Sequence, residues 1–268
     1  MGTTPNAFGQ ADLATVFVVT SGKGGVGKTS LSVNICTELA RRGKRVIIVD
    51  ADLGLANAHI LMGVKPERTL TDYLEGKAQL PDCIADGPNG LKLISGGQGM
   101  AEMANLDEHG RKRIVDAIMD LRSYCDLILV DTGAGVSSQV TDFVQMADHT
   151  LVITNANFAA IANAYGIIKV MVSNGYERPM HLVVNRARST EEAKQVFMKL
   201  KGCTKKFLDS DLGFLGLVPE DIQVQNSVQK RTPFSEAAPD SIASTYLRKL
   251  VDQAESLIGV KVGAQIDE

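Results

Sequence analysis

Seven short runs of apolar residues punctuate the chain: VFVV from residue 16, RVIIV from 45, LKLI from 91, LILV from 127, TLVI from 150, HLVV from 181 and FLGLV from 214. Most are apolar at successive rather than alternate positions, which is how a strand buried on both faces reads. Between the runs the period changes. Leu31, Ile35 and Leu39, and later Ile114, Ile118 and Leu121, recur every three or four residues and so line one side of a helix. Strands separated by helices predict an α/β protein of three layers, with a mostly parallel sheet of roughly seven strands covered by helices on both faces. No repeat, low-complexity tract or linker interrupts the pattern. The expected organisation is a flexible N-terminus over 1–14, one domain over 15–258 and a flexible tail over 259–268.

Composition narrows the setting. No apolar run of the 268 residues approaches the ~18 to 20 needed to cross a bilayer, and the opening MGTTPNAFGQADLA lacks the basic and apolar regions of a signal peptide, so a cytoplasmic protein is expected. The four cysteines, Cys36, Cys83, Cys125 and Cys203, form no CxxC pair. They indicate buried thiols rather than a disulfide framework, a zinc site or an iron-sulfur cluster. A net charge of −3 offers no global attraction to nucleic acid. Residues 186–206 carry seven Lys and Arg against two Glu, and this local excess reads as a solvated helix face.

The candidate chemistry starts at SGKGGVGKTS, residues 21–30. Gly22, Gly24 and Gly27, with Asp50 at the end of the second apolar run, satisfy the G-x-G-x-x-G pattern of a dinucleotide site. Gly22, Gly27, Lys28 and Thr29 also satisfy G-x-x-x-x-G-K-[ST], and a hydride-transfer enzyme has no use for that Lys-Thr pair. A nucleoside triphosphate does. The backbone N–H groups of Gly22, Lys23, Gly24, Gly25, Val26, Gly27 and Ser30 would face phosphate oxygens, Lys28 would reach the β- and γ-phosphates, and the Thr29 hydroxyl would ligate Mg²⁺. The expected fold is thus that of a P-loop NTPase. Asp131, after the apolar run LILV, is placed as the acidic metal residue of such a site, and Gly133 and Gly135 behind it as a phosphate-sensing switch. Asp50 and Asp52, two apart in VDADLGLAN, allow one carboxylate to serve the metal and the other, Asp52, to orient the attacking water.

SGKGGVGKT, VDADLGLAN and LVDTGAGVS together resemble the signature segments of the MinD/ParA ATPases, over roughly residues 15–258. The resemblance implies a slow, ATP-dependent switch that works as a face-to-face dimer. The extra lysine, Lys23, would reach across to the partner's phosphates, with ATP and Mg²⁺ as cofactors. It also implies adenine recognition by Asn185 in HLVVNR and by Pro219 and Asp221 in GLVPEDIQV. Within the family, DADLGLAN, DTGAG and AYGIIK are most similar to regulators of flagellar number. Against their pattern this chain departs at 155–165, where it reads NANFAAIANAY. That similarity implies a protein partner such as a flagellar GTPase or a transcription regulator, and a polar or peripheral membrane location. A division-site regulator and an ATP-dependent metabolic ligase on the same fold are the alternatives. Division-site regulators end in a basic amphipathic membrane helix; here TYLRKLVDQAESLIG sets Leu247, Leu250, Val251, Ala254, Leu257 and Ile258 on one face with only Arg248 and Lys249 basic, the pattern of a helix docked on its own sheet rather than a membrane anchor.

Overall fold

The architecture was obtained as a computed structural model, which describes residues 13–53, 56–97 and 106–260. Among the described residues eight strands form one sheet: β1 (Thr15–Thr20), β2 (Val46–Ala51), β3 (Ile84–Asp86), β4 (Lys92–Ser95), β5 (Leu127–Thr132), β6 (His149–Thr154), β7 (Met180–Ala187) and β8 (Gly213–Pro219). Their order across the sheet is β3-β4-β2-β5-β1-β6-β7-β8, and every pairing is parallel except β3 with β4. The sequence pattern predicts all the parallel strands and misses β3. That strand is three residues long and none of the three is fully buried, so it leaves no apolar run to detect.

Ten α-helices lie among the described residues: α1 (Lys28–Arg41), α2 (Ala58–Leu61), α3 (Leu70–Leu74), α4 (Glu108–Asp120), α5 (Ser138–Gln145), α6 (Phe158–Ser173), α7 (Thr190–Leu208), α8 (Ile222–Gln229), α9 (Phe234–Ala237) and α10 (Ile242–Glu255). They cover both faces of the sheet. Along β1, Val16 and Val18 pack into one core while Phe17 and Val19 pack into the other, so alternate side chains of a fully apolar strand serve two layers. The second core is closed by α1 and by α10, whose Leu247, Leu250, Val251 and Ala254 are buried. The last helix is therefore docked on its own sheet, as its pattern predicts. Cys36, Cys83 and Cys125 are buried and Cys203 is half-buried.

Residues 1–12 and 261–268, most of the two ends expected to be flexible, lie outside the described residues. Ala14 and Gly259, within the expected ends, are hydrogen-bonded: the Ala14 N–H donates to the Arg122 carbonyl at 2.8 Å and the Gly259 N–H to Thr15 Oγ1 at 2.9 Å. The buried polar residues Thr20, Ser21, Asp50, Asp131, Thr132 and Thr154 collect at the C-terminal edge of the parallel strands. In an open parallel sheet that edge is where a ligand crevice forms.

Candidate nucleotide site

The loop 21–27 joins the C-terminal end of β1 to the N-terminus of α1. Gly27 stands at the helix N-cap with φ 95°, a left-handed conformation that glycine adopts without strain. Close approach is its second constraint, because a Cβ there would lie 2.3 Å from Asn185 Nδ2. Gly22 is held in the same way. A Cβ on it would fall 2.0 Å from the carbonyl oxygen of Asn163 in α6. Gly24 and Gly25 are exposed and unobstructed.

The start of α1 differs from that of every other described helix of eight or more residues. Asp107, Ser137, Asn157, Ser189, Asp221 and Ser241 each accept a backbone N–H at the N-termini of α4, α5, α6, α7, α8 and α10. α1 has no side-chain cap and no acidic residue in its first turn. Its orphan N–H groups and positive dipole end face the glycine loop, with Lys28 buried among them at 8% exposure. Such a helix end is suited to an anion such as phosphate. Lys23, in contrast, is exposed. Ser21 Oγ donates to the Lys23 carbonyl at 2.9 Å, and the Gly135 N–H donates to the Ser21 carbonyl at 2.9 Å, tying the segment after β5 to the loop.

Asp50 and Asp131 face each other on the same rung of β2 and β5. Both are fully buried. Burial, and for Asp50 also the charge of Asp131, pushes the Asp50 carboxyl up to about 7 against the lowering effect of N–H donors from Ala58, Asp52 and Asn57. Burial likewise raises Asp131 to about 6, opposed by the Lys28 ammonium and by the hydroxyls of Thr29 and Ser32. Ser32 Oγ donates to Asp131 Oδ1 at 3.0 Å, while Oδ2 is buried with no partner at hydrogen-bonding geometry. A buried, unpartnered carboxylate oxygen close to Thr29 fits a hard divalent cation such as Mg²⁺. Asp50 is more committed, since Oδ2 accepts from the Asn57 and Ala58 N–H groups at 2.7 and 2.8 Å. Among the described residues no three His, Cys, Asp or Glu cluster to hold a metal alone. Asp52 is half-buried beside Gly133, its Oδ1 3.7 Å from the position a Cβ on that glycine would take.

Beyond Gly27 a cavity of about 120 Å³ opens between α1 and the ends of β7 and β8, lined among others by Asn185, Arg186, Pro219, Asp221 and Phe234. Asn185 braces the loop: Nδ2 donates to the Val26 carbonyl at 2.8 Å and Oδ1 accepts from the Arg186 N–H at 3.0 Å. Asp221 lines the cavity with its carboxylate engaged in capping, accepting from the Gln223 N–H at 2.9 Å and the Ala243 N–H at 3.1 Å. The sequence reading misses Ser32, three residues beyond Thr29 and so on the same helix face, and Arg186, exposed at the cavity mouth with φ 53°. It also misses Asn163, for which no local signal exists.

An uncapped helix behind a glycine loop, a lysine in its first turn and a paired carboxylate on the neighbouring strand define a P-loop nucleotide-binding protein. The sequence profile of the CobQ/CobB/MinD/ParA nucleotide binding domain matches residues 17–234, and the chain belongs to that family. The antiactivator FleN of Pseudomonas aeruginosa is 36% identical over 241 residues, spanning 90% of this chain and 86% of that protein. The flagellum site-determining protein YlxH of Helicobacter pylori is 30% identical over 96% of this chain and 86% of its own. Among solved structures, the cell division ATPase MinD of Pyrococcus furiosus has a TM-score of 0.77 at 26% identity, covering 91% of this chain and 100% of that one.

Proposed function

We propose that this chain is an ATP-dependent dimerising switch that hydrolyses ATP slowly and controls the number or placement of flagella. The uncapped, lysine-bearing start of α1 carries the nucleotide half of this reading. The flagellar half is supported by the two relatives, an antiactivator and a flagellum site-determining protein. In the proposed cycle Lys28 and the α1 N-terminus hold the β- and γ-phosphates, and Thr29 with Asp131, backed by Asp50, would hold Mg²⁺. The cation would supply neutralisation of the charge that develops on the phosphates. Asp52 orients the attacking water beside Gly133, and Lys23 reaches from its exposed position to the phosphates of a second copy, acting as an arginine finger does. Asn185 and Pro219 contact the adenine.

The output is a change of partner: the ATP dimer engages a regulatory protein, of which a flagellar GTPase or transcription regulator is the proposed kind, and the ADP monomer releases it. The proposed setting is the cytoplasm with transient membrane or polar association. No described helix is long and apolar enough to cross a membrane. The test is calorimetric titration with ATP and GTP, followed by turnover of ATP alone. Preference for ATP and hydrolysis without any small co-substrate are expected; equal affinity for GTP, or turnover only with added carboxylate substrates, would favour a different enzyme on this fold.

A further inference from the structure

The basic segment 186–206 falls largely on α7, and nothing in the nucleotide site uses it. Its outward face presents Lys194, Met198 and Lys199, with Met198 64% exposed. Lys194 and Lys199 have no carboxylate partner among the described residues, whereas Lys201 and Lys205 are paired with Asp211 and Asp209. Phe158, at the head of the neighbouring α6, is 75% exposed, and the Lys199 ammonium lies 5.2 Å from its ring centroid. Lys199 therefore ties the exposed Phe158 ring to α7, where Lys194 and Met198, four residues apart, share one face beside it. Large apolar side chains exposed together mark an interaction surface more often than a solvated one.

We propose that this patch is the docking surface for an acidic amphipathic segment of a protein partner, whose apolar side chain seats against Phe158 and Met198 while its carboxylates meet Lys194 and Lys199. Charge complementarity selects the acid. A discrete protein segment fits better than a lipid plane, because Glu191 is exposed three residues before Lys194 on the same helix and would be driven into an anionic surface. The placement also has a use under the proposed function, on which this part rests. Phe158 belongs to the helix whose Asn163 backbone packs against Gly22, so a partner on the patch bears on the element that abuts the phosphate loop.

The test is selection of helical 16-residue peptides from a displayed random library by the full chain, in separate pools with ATP and Mg²⁺ and without nucleotide. Selected sequences are expected to be rich in Asp and Glu alternating with Leu, Ile or Phe. Binding of the synthesised peptides should weaken at least tenfold on Lys199→Glu and on Phe158→Ser, and stay within twofold on Lys112→Glu elsewhere on the surface. Thermal melting and ATP titration of each variant separate misfolding, or failure of the nucleotide reading, from loss of the patch. The proposal is overturned if the selected peptides lack acidic residues, or if they bind the two patch variants as tightly as the parent. It is also overturned if the patch variants instead lose binding only to phosphatidylglycerol vesicles or to duplex DNA.

Discussion

Two carboxylates on one buried rung dominate the behaviour of single residues. Burial pushes the Asp50 and Asp131 carboxyls up, to about 7 and about 6, above the ordinary carboxylate range near 4. Without nucleotide and metal, the folded chain holds protons here that the unfolded chain has released. The contribution of this pair to stability is full below about pH 4 and is lost as pH rises to 7. Asp131→Asn removes one charge while Oδ1 keeps its acceptor role toward Ser32. In melts of nucleotide-free protein it should stabilise by about 2 kcal/mol at pH 8 and by little at pH 5, since each tenfold change in proton affinity is worth ~1.4 kcal/mol. It should also abolish the extra stabilisation by ATP that depends on Mg²⁺. A uniform loss at both pH values would remove the account of two carboxyls raised chiefly by burial. Asp52→Ala acts elsewhere: nucleotide affinity should persist while steady-state turnover falls ~10²-fold or more, the usual range for a positioned base. An Asp52 variant unable to bind ATP in calorimetry would overturn the division of labour between Asp50 and Asp52. Both acids are readable in the sequence because each belongs to the segment that ends an apolar strand run. Asn163 and the capping role of Asp221 are not, since contacts such as the one from Asp221 to the Ala243 N–H depend on where helices land after folding.

Among the elements, α1 and α10 lock the second core. Arg42 at the end of α1 reaches Asp252 and Glu255 on α10 at 2.8 and 2.9 Å, but these pairs are partly exposed and contribute little. The apolar face carries the joint. Leu247 is fully buried, so Leu247→Ala should cost about 2 to 5 kcal/mol through lost burial and a residual cavity, read as a lower midpoint in urea unfolding. If α10 were instead a detachable membrane helix, that midpoint would barely move and anionic vesicles would recruit the chain in proportion to Arg248 and Lys249. Helix and strand identity was legible here wherever a run was long and apolar. The edge strand β3 escaped because three partly exposed residues owe their strand form to β4 alone.

At the scale of the whole molecule, the central claim is that one subunit is an incomplete catalyst. Lys28 is buried at the α1 N-terminus and in the proposed cycle serves its own nucleotide, while Lys23 is exposed five residues earlier between two glycines. If Lys23 completes the partner's site, catalysis and assembly have a common origin, and the same charge that neutralises the transferring phosphate holds two copies together. Mass in solution, measured by light scattering with ATP and Mg²⁺ for the parent and for Lys23→Ala, tests this most directly. The parent is expected to pass from monomer to dimer on adding ATP. Lys23→Ala is expected to bind ATP with near-parental affinity, remain monomeric and hydrolyse ATP at least tenfold more slowly; a Lys23→Ala protein that dimerises on ATP and turns over like the parent would contradict the account.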